Sequence, residues 1–137
     1  MLHRLWLLML MVFALCAPAA AARTLLVYGD SLSAGYGLAQ DKAWVSLLAQ
    51  RVQQERIDYT VANASISGET TLGGLKRINA TLSQYKPTLV LLALGGNDGL
   101  RGQSVDAMRN NLEAIIDACS KSKSQVVLIG MRFASSK

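Results

Sequence analysis

The sequence predicts an α/β fold, a parallel sheet with helices on both faces. Three observations point there. Short aliphatic and β-branched runs alternate with apolar stripes at helical spacing, in the order strand, helix, strand, helix, strand, helix, strand. The strongest of these runs, residues 88–94 (TLVLLAL), is apolar throughout, as in a strand covered on both faces. Each of the first three runs leads into a polar, glycine-containing segment, the composition expected of loops at the carboxyl edge of such a sheet.

At the N-terminus, His3 and Arg4 precede an uncharged run over residues 5–16, and residues 17–22 (APAAAA) are small. A basic start, an apolar stretch and a small-residue end describe a secretory signal peptide over residues 1–22, leaving one domain over residues 23–137. A spanning helix needs about 20 apolar residues, and Pro18 interrupts this one early. The expectation is a periplasmic or secreted protein without stable membrane insertion after cleavage.

Residues 24–28 (TLLVY), ended by Gly29, read as the first strand. Asp41 is placed to cap a helix whose apolar positions are Trp44, Val45, Leu48 and Val52. Residues 57–62 read as the second strand. Leu72, Leu75, Ile78 and Leu82 form the next helical stripe, stopped before Pro87. After the strand at 88–94, Ser104 caps a third helix with Val105, Met108, Leu112, Ile115, Ile116 and Cys119 inward. Residues 125–130 (QVVLIG) read as a fourth strand, which would form an uncovered apolar edge.

Composition narrows the function. The 137 residues are 51% hydrophobic and 17% charged, too apolar for a disordered chain and enough for one domain. The net charge of +5 comes from scattered Lys and Arg, so no nucleic-acid partner is expected. Cys16 leaves with the leader, and Cys119 then reads as a lone core residue, as does Trp44. The only histidine is His3, also in the leader.

The chemistry should sit where the first three strands end. Residues 29–37 (GDSLSAGYG), 63–71 (NASISGETT) and 94–99 (LGGNDG) all fall on one edge if the strands are parallel. With the first strand between the other two, Ser31 faces Gly68 on one side and Asn97 on the other. That suits acyl transfer: a serine nucleophile, a glycine N–H and an asparagine amide aimed at a developing oxyanion. Each segment also has a plain structural explanation, as a loop turn, a helix cap or a tight turn. A different class of function is open as well, a flavodoxin-like protein cradling a flavin phosphate near Ser31 and Ser33. Ser31 is not in a GxSxG elbow, because Ser33 stands where the second glycine would be. No Gly-Lys-Ser/Thr is present to make a P-loop.

Residues 29–37, 64–75 (ASISGETTLGGL) and 94–102 (LGGNDGLRG) resemble the first three sequence blocks of the GDSL, or SGNH, hydrolases. The likeness is to the periplasmic thioesterase, lysophospholipase and arylesterase group, over about residues 24–132. It implies a flavodoxin-like three-layer α/β/α fold with no metal or organic cofactor. It implies hydrolysis of small-molecule carboxylic esters and thioesters through an acyl-enzyme. The implied site has Ser31 as nucleophile and as an N–H donor, with Gly68 N–H and the Asn97 side chain completing the oxyanion hole. A complete member is expected to be monomeric. The family's fourth block, Asp-x-x-His, has no counterpart: Asp117 is followed three residues later by Ser120, and no histidine lies beyond His3. The resemblance therefore also implies that the last helix and strand are missing, that turnover is impaired, and that a non-catalytic remnant is an alternative.

Overall fold

The computed structural model describes residues 22–131. The expected signal peptide, apart from Ala22, and the tail after Met131 lie outside the described residues. The four strands are β1 (Arg23–Gly29), β2 (Tyr59–Asn63), β3 (Leu89–Ala93) and β4 (Gln125–Leu128). All pairings are parallel and the spatial order is β2-β1-β3-β4, which puts β1 between β2 and β3. Leu26 stands opposite Ala62 on one side and Val90 on the other.

The helices are α1 (Ser31–Ala34), α2 (Trp44–Gln54), α3 (Thr71–Tyr85), α4 (Gly96–Leu100) and α5 (Val105–Lys121), with a 3-10 turn at Gln40–Lys42. Strand side chains alternate between faces, so β1 feeds two cores. Leu26 and Tyr28 join Val90, Leu92, Ile78, Leu82, Ile115 and Cys119 under α3 and α5. Leu25 and Val27 join Val45 under α2, with Trp44 and Leu48 packed alongside. The result is three layers, as expected. Burying a side chain such as Ile78, which has no exposed surface, is worth roughly 1.5–3 kcal/mol.

The helix ends follow from local chemistry. Thr70 caps α3 by accepting from the Gly73 N–H at 3.2 Å, and Lys86 turns left-handed just before Pro87. Ser104 caps α5 as predicted, accepting from Ala107 N–H at 3.0 Å. Cys119 is fully buried on the inner face of α5, and burial pushes its thiol up to about 11.

Several expectations need correction. Asp41 does not cap α2; it lies in the 3-10 turn, and Ala43 precedes the helix without a side-chain cap. The second strand begins at Tyr59 because Ile57 is spent closing α2, its N–H bonding Val52 O at 2.9 Å. Leu72 is 45% exposed: α3 is rotated so that Thr71, Gly74, Ile78 and Leu82 face inward. Val105 is exposed because it opens α5 before the helix reaches the core. On β4, Val127 and Leu128 are 48% and 52% exposed, which agrees with the expected apolar edge among the described residues.

Candidate active site

The carboxyl ends of β1, β2 and β3 converge because the strands are parallel and β1 is central. β1 runs through Gly29 directly into α1, with no room for a side chain. A Cβ on Gly29 would lie 2.6 Å from Ser33 Oγ and 3.0 Å from Ala93 O. Asp30, 3% exposed, caps α1: its Oδ1 accepts from Leu32 N–H at 3.0 Å. Ser31 is therefore the first residue of a short helix, half-buried and held against the sheet edge.

The segment after β2 is tied to this turn. Asn63 Nδ2 donates to Ser33 O at 2.8 Å, and Ile66 N–H donates to Gly29 O at 3.0 Å. Gly68 then adopts φ +80°, a left-handed conformation that glycine takes without strain. The segment after β3 turns at Gly95, φ +119°, into α4.

Asn97 joins the three segments. Its Nδ2 donates to Glu69 O at 2.9 Å and lies 3.4 Å from Asp30 Oδ2. One amide group thus touches the neighbour of Gly68 and the neighbour of Ser31. The structure brings the surroundings of all three expected site residues together on one edge.

Two carboxylates stand close by in sequence, and each is already committed. Asp98, with no exposed surface, accepts from Thr71 N–H at 2.9 Å and from Thr71 Oγ1 at 2.5 Å. Asp30 caps α1. The Asp30 carboxylate at the N-terminus of α1, a helix of only four residues, also opposes a phosphate there. That weighs against the flavin-phosphate alternative.

Sequence reasoning missed Thr71, Asp98, Asn111, Glu69, Arg77 and Arg101. Arg77 pairs with Glu69 and stacks its guanidinium 4.2 Å from the Tyr28 ring centre. Tyr28 in turn donates its hydroxyl to Gly74 O at 2.7 Å, and burial pushes its phenol up to about 12. The only advance signal was the placement of Asp98 beside Asn97 and of Thr71 at a helix start.

An apolar cavity of about 320 Å³ opens beside α1, lined by Leu32, Ser33, Trp44, Ala93, Ile129 and Met131 with Asp30 at its edge. Trp44 thus lines a cavity as well as packing into the core. No group of three or more His, Cys, Asp or Glu able to hold a metal occurs among the described residues. No helix among them is long and apolar enough to cross a membrane.

Comparison with known proteins bears on the same residues. Residues 27–136 match the GDSL-like lipase/acylhydrolase family. The chain is 48% identical over 113 residues to Esterase TesA of Pseudomonas aeruginosa, covering 82% of this chain and 56% of that protein. It is 44% identical over 114 residues to Thioesterase 1/protease 1/lysophospholipase L1 of Escherichia coli, covering 83% and 53%. The chain thus spans a little over half the length of these relatives. A crystal structure of TesA superposes with a TM-score of 0.79 at 46% identity, covering 81% of this chain and 62% of that one. The psychrotrophic esterase EstA from Pseudoalteromonas sp., in a structure inhibited by monoethylphosphonate, superposes at 0.74 with 47% identity, covering 77% and 58%.

Proposed function

The chain belongs to the GDSL-like lipase/acylhydrolase family, and from that premise we propose that it carries the nucleophile and oxyanion hole of a serine hydrolase. The substrates are small-molecule carboxylic esters and thioesters of the arylesterase, acyl-CoA thioesterase and lysophospholipase types. The observation that carries this reading is the Asn97 amide, which spans the Glu69 carbonyl and the Asp30 carboxylate beside Gly68 and Ser31.

The family resemblance assigns the roles, and that geometry supports them. Ser31 Oγ attacks the acyl carbonyl carbon and gives its proton to a base. The carbonyl oxygen becomes an oxyanion, which accepts from Ser31 N–H, Gly68 N–H and Asn97 Nδ2. Asn97 has two amide hydrogens. The bond to Glu69 O orients the group, and the long 3.4 Å approach to Asp30 holds the other hydrogen only weakly, leaving it for the oxyanion. Collapse expels the alcohol or thiol and leaves Ser31 acylated; water then attacks the acyl-enzyme and releases the acid. The apolar cavity beside α1 supports an apolar acyl substrate.

Neither carboxylate hydrogen-bonds Ser31: both oxygens of Asp98 are taken up by Thr71, and Asp30 caps α1 through Leu32 N–H. The base is the Asp-x-x-His pair that the family resemblance implies, which the 137 residues do not contain. Losing a triad base costs about 10⁴–10⁶ in rate. The 137-residue chain should therefore hydrolyse p-nitrophenyl and acyl-CoA esters near background. Extension with a segment bearing Asp-x-x-His should restore turnover, and Ser31→Ala in the extended chain should abolish it. Turnover that survives Ser31→Ala would overturn the assignment of the nucleophile. Robust, Ser31-dependent turnover by the unextended chain would show that another group serves as base.

The same reading includes export to the periplasm or beyond, guided by residues 1–22. Protein recovered from an exporting host should begin within two residues of Arg23; an intact Met1 on membrane-held protein would contradict this.

A further inference from the structure

Asp98 has no part in the chemistry above, yet it is fully buried. A buried carboxylate is costly unless its oxygens are satisfied. Here one oxygen accepts from Thr71 N–H and the other from Thr71 Oγ1. Thr71 Oγ1 also accepts from Asn111 Nδ2 on α5 at 3.0 Å, so the threonine hydroxyl is held from two sides. Thr71 itself has no exposed surface.

The pairing belongs to a larger pattern. Asn97, Asp98 and Arg101, on α4 and its C-terminal cap, reach Glu69, Thr71 and Gly68 in the segment that leads into α3. The contacts are Asn97 Nδ2 to Glu69 O at 2.9 Å, Asp98 to Thr71, and Arg101 Nη2 to Gly68 O at 3.1 Å. Of the three, the Asp98 contact alone is fully buried and has two bonds. Arg101 is exposed, and Asn97 must keep one hydrogen free. The rigid member of the staple is therefore Asp98, directly adjacent in the chain to Asn97, while Thr71 lies three residues beyond Gly68.

We infer that Asp98 is a positioning residue: by holding Thr71, its carboxylate sets the spacing between the Gly68 N–H and the Asn97 amide. The inference rests on the reading of those two groups as oxyanion donors. Its energetic logic is that of a preorganised site, in which donors are held in place by residues whose own bonds are complete. A purely structural alternative is that Asp98 only stabilises the start of α3. That role would change stability without moving Gly68 or Asn97.

The test uses the ¹⁵N-labelled 137-residue chain and reads the Gly68 backbone amide and the Asn97 side-chain amide by NMR. Asp98→Asn removes one of the two acceptors that Thr71 meets. It should shift the Gly68 resonance and speed exchange of the Asn97 side-chain hydrogens by about tenfold, the equivalent of one hydrogen bond. Thr71→Val, which keeps the shape and removes the hydroxyl, should do the same. Thr71→Ser, which keeps the hydroxyl, should leave both signals near wild type. Signals of Leu26 and Val90 report whether the sheet is intact, and if Asp98→Asn does not fold, the Thr71 pair decides. Unchanged Gly68 and Asn97 signals in folded Thr71→Val would overturn the inference. Failure of the donor assignment would show instead as turnover of the extended chain indifferent to Asn97→Ala, with these resonances still coupled.

Discussion

Replacing Asn97 by aspartate turns the amide that joins three loops into a charge facing a charge. The reference variant is Asn97→Ala, which removes the bond to Glu69 O and costs about 1 kcal/mol. Asn97→Asp loses the same bond and places a carboxylate where Nδ2 now lies, 3.4 Å from Asp30 Oδ2. Two like charges at that separation repel by roughly 4–5 kcal/mol at an effective dielectric of about 20. Asn97 is half-buried, so side-chain relaxation and water should reduce this, leaving a net destabilisation of about 2–3 kcal/mol against wild type. The repulsion raises the folded-state pKa of the new carboxyl above its unfolded value near 4. Its penalty is thus full at neutral pH, shrinks as pH falls toward the unfolded value, and disappears below it, where the group is protonated in both states. Urea unfolding of the 137-residue chain, followed by far-ultraviolet circular dichroism, provides the assay. Asn97→Asp should unfold at lower urea than Asn97→Ala at pH 7, by about 1–2 kcal/mol, with the gap closing below about pH 4. Equal midpoints at pH 7, or a gap that persists below that pH, would refute the placement of Asn97 against Asp30.

Tyr28→Phe leaves Gly74 O without its 2.7 Å donor in a buried position and should cost about 1–2 kcal/mol in thermal or urea unfolding. Gly74→Ala places a Cβ 2.6 Å from Leu94 Cδ1 and 3.4 Å from Tyr28 Cε1; overpacking there should cost about 1–3 kcal/mol, and a neutral result would show that α3 can back away from the sheet. Cys119, raised from 9.0 to about 11, and Tyr28, raised from 10.0 to about 12, both ionise more readily in the unfolded chain. Their contribution to stability is complete below about pH 9 and is lost as pH rises toward 12, so an alkaline unfolding limb should appear, with its upper part weakened in Tyr28→Phe. The buried Cys119 thiol should react with a disulfide reagent at pH 8 only as fast as the chain opens, and labelling as fast as in urea would contradict its burial.

What could be read from the sequence was what short segments decide for themselves. The uniform apolar run around β3 and the glycine-bounded run of β1 gave the layers and the parallel sheet. The Ser104 cap gave the start of α5. The segments bearing Ser31, Gly68 and Asn97 are each ordinary turn chemistry; what was legible was their recurrence after three successive strands, which a parallel sheet gathers on one edge. The misses at Leu72, Asp98 and Arg101 share one cause, contacts between residues far apart in the chain; the miss at Asp41 is local. Leu72 belongs to a regular apolar stripe, but α3 turns Thr71 inward instead, where it meets Asp98 27 positions away. Asp41 has the chemistry of a cap, yet the chain makes a 3-10 turn first and enters α2 through Ala43. Asp98 and Arg101 carry no local signal of their partners, because only the fold brings Thr71 and Gly68 opposite them.

The central position of β1 also sets an order of events during synthesis. β1 is made before either of its neighbours: Leu26 finds Ala62 on one side and Val90 on the other, and neither has emerged when Leu26 leaves the ribosome. Until β3 has emerged, an aliphatic strand with free backbone groups along at least one edge must be kept from pairing with other chains. The Ser31 turn shares that delay, since Asn97 lies 67 positions beyond Asp30. A ribosome-bound chain stopped before β3 would carry the serine without its surroundings. On a nascent chain, then, the arrival of Asn97 beside Asp30 marks the moment at which the sheet has closed around its first strand.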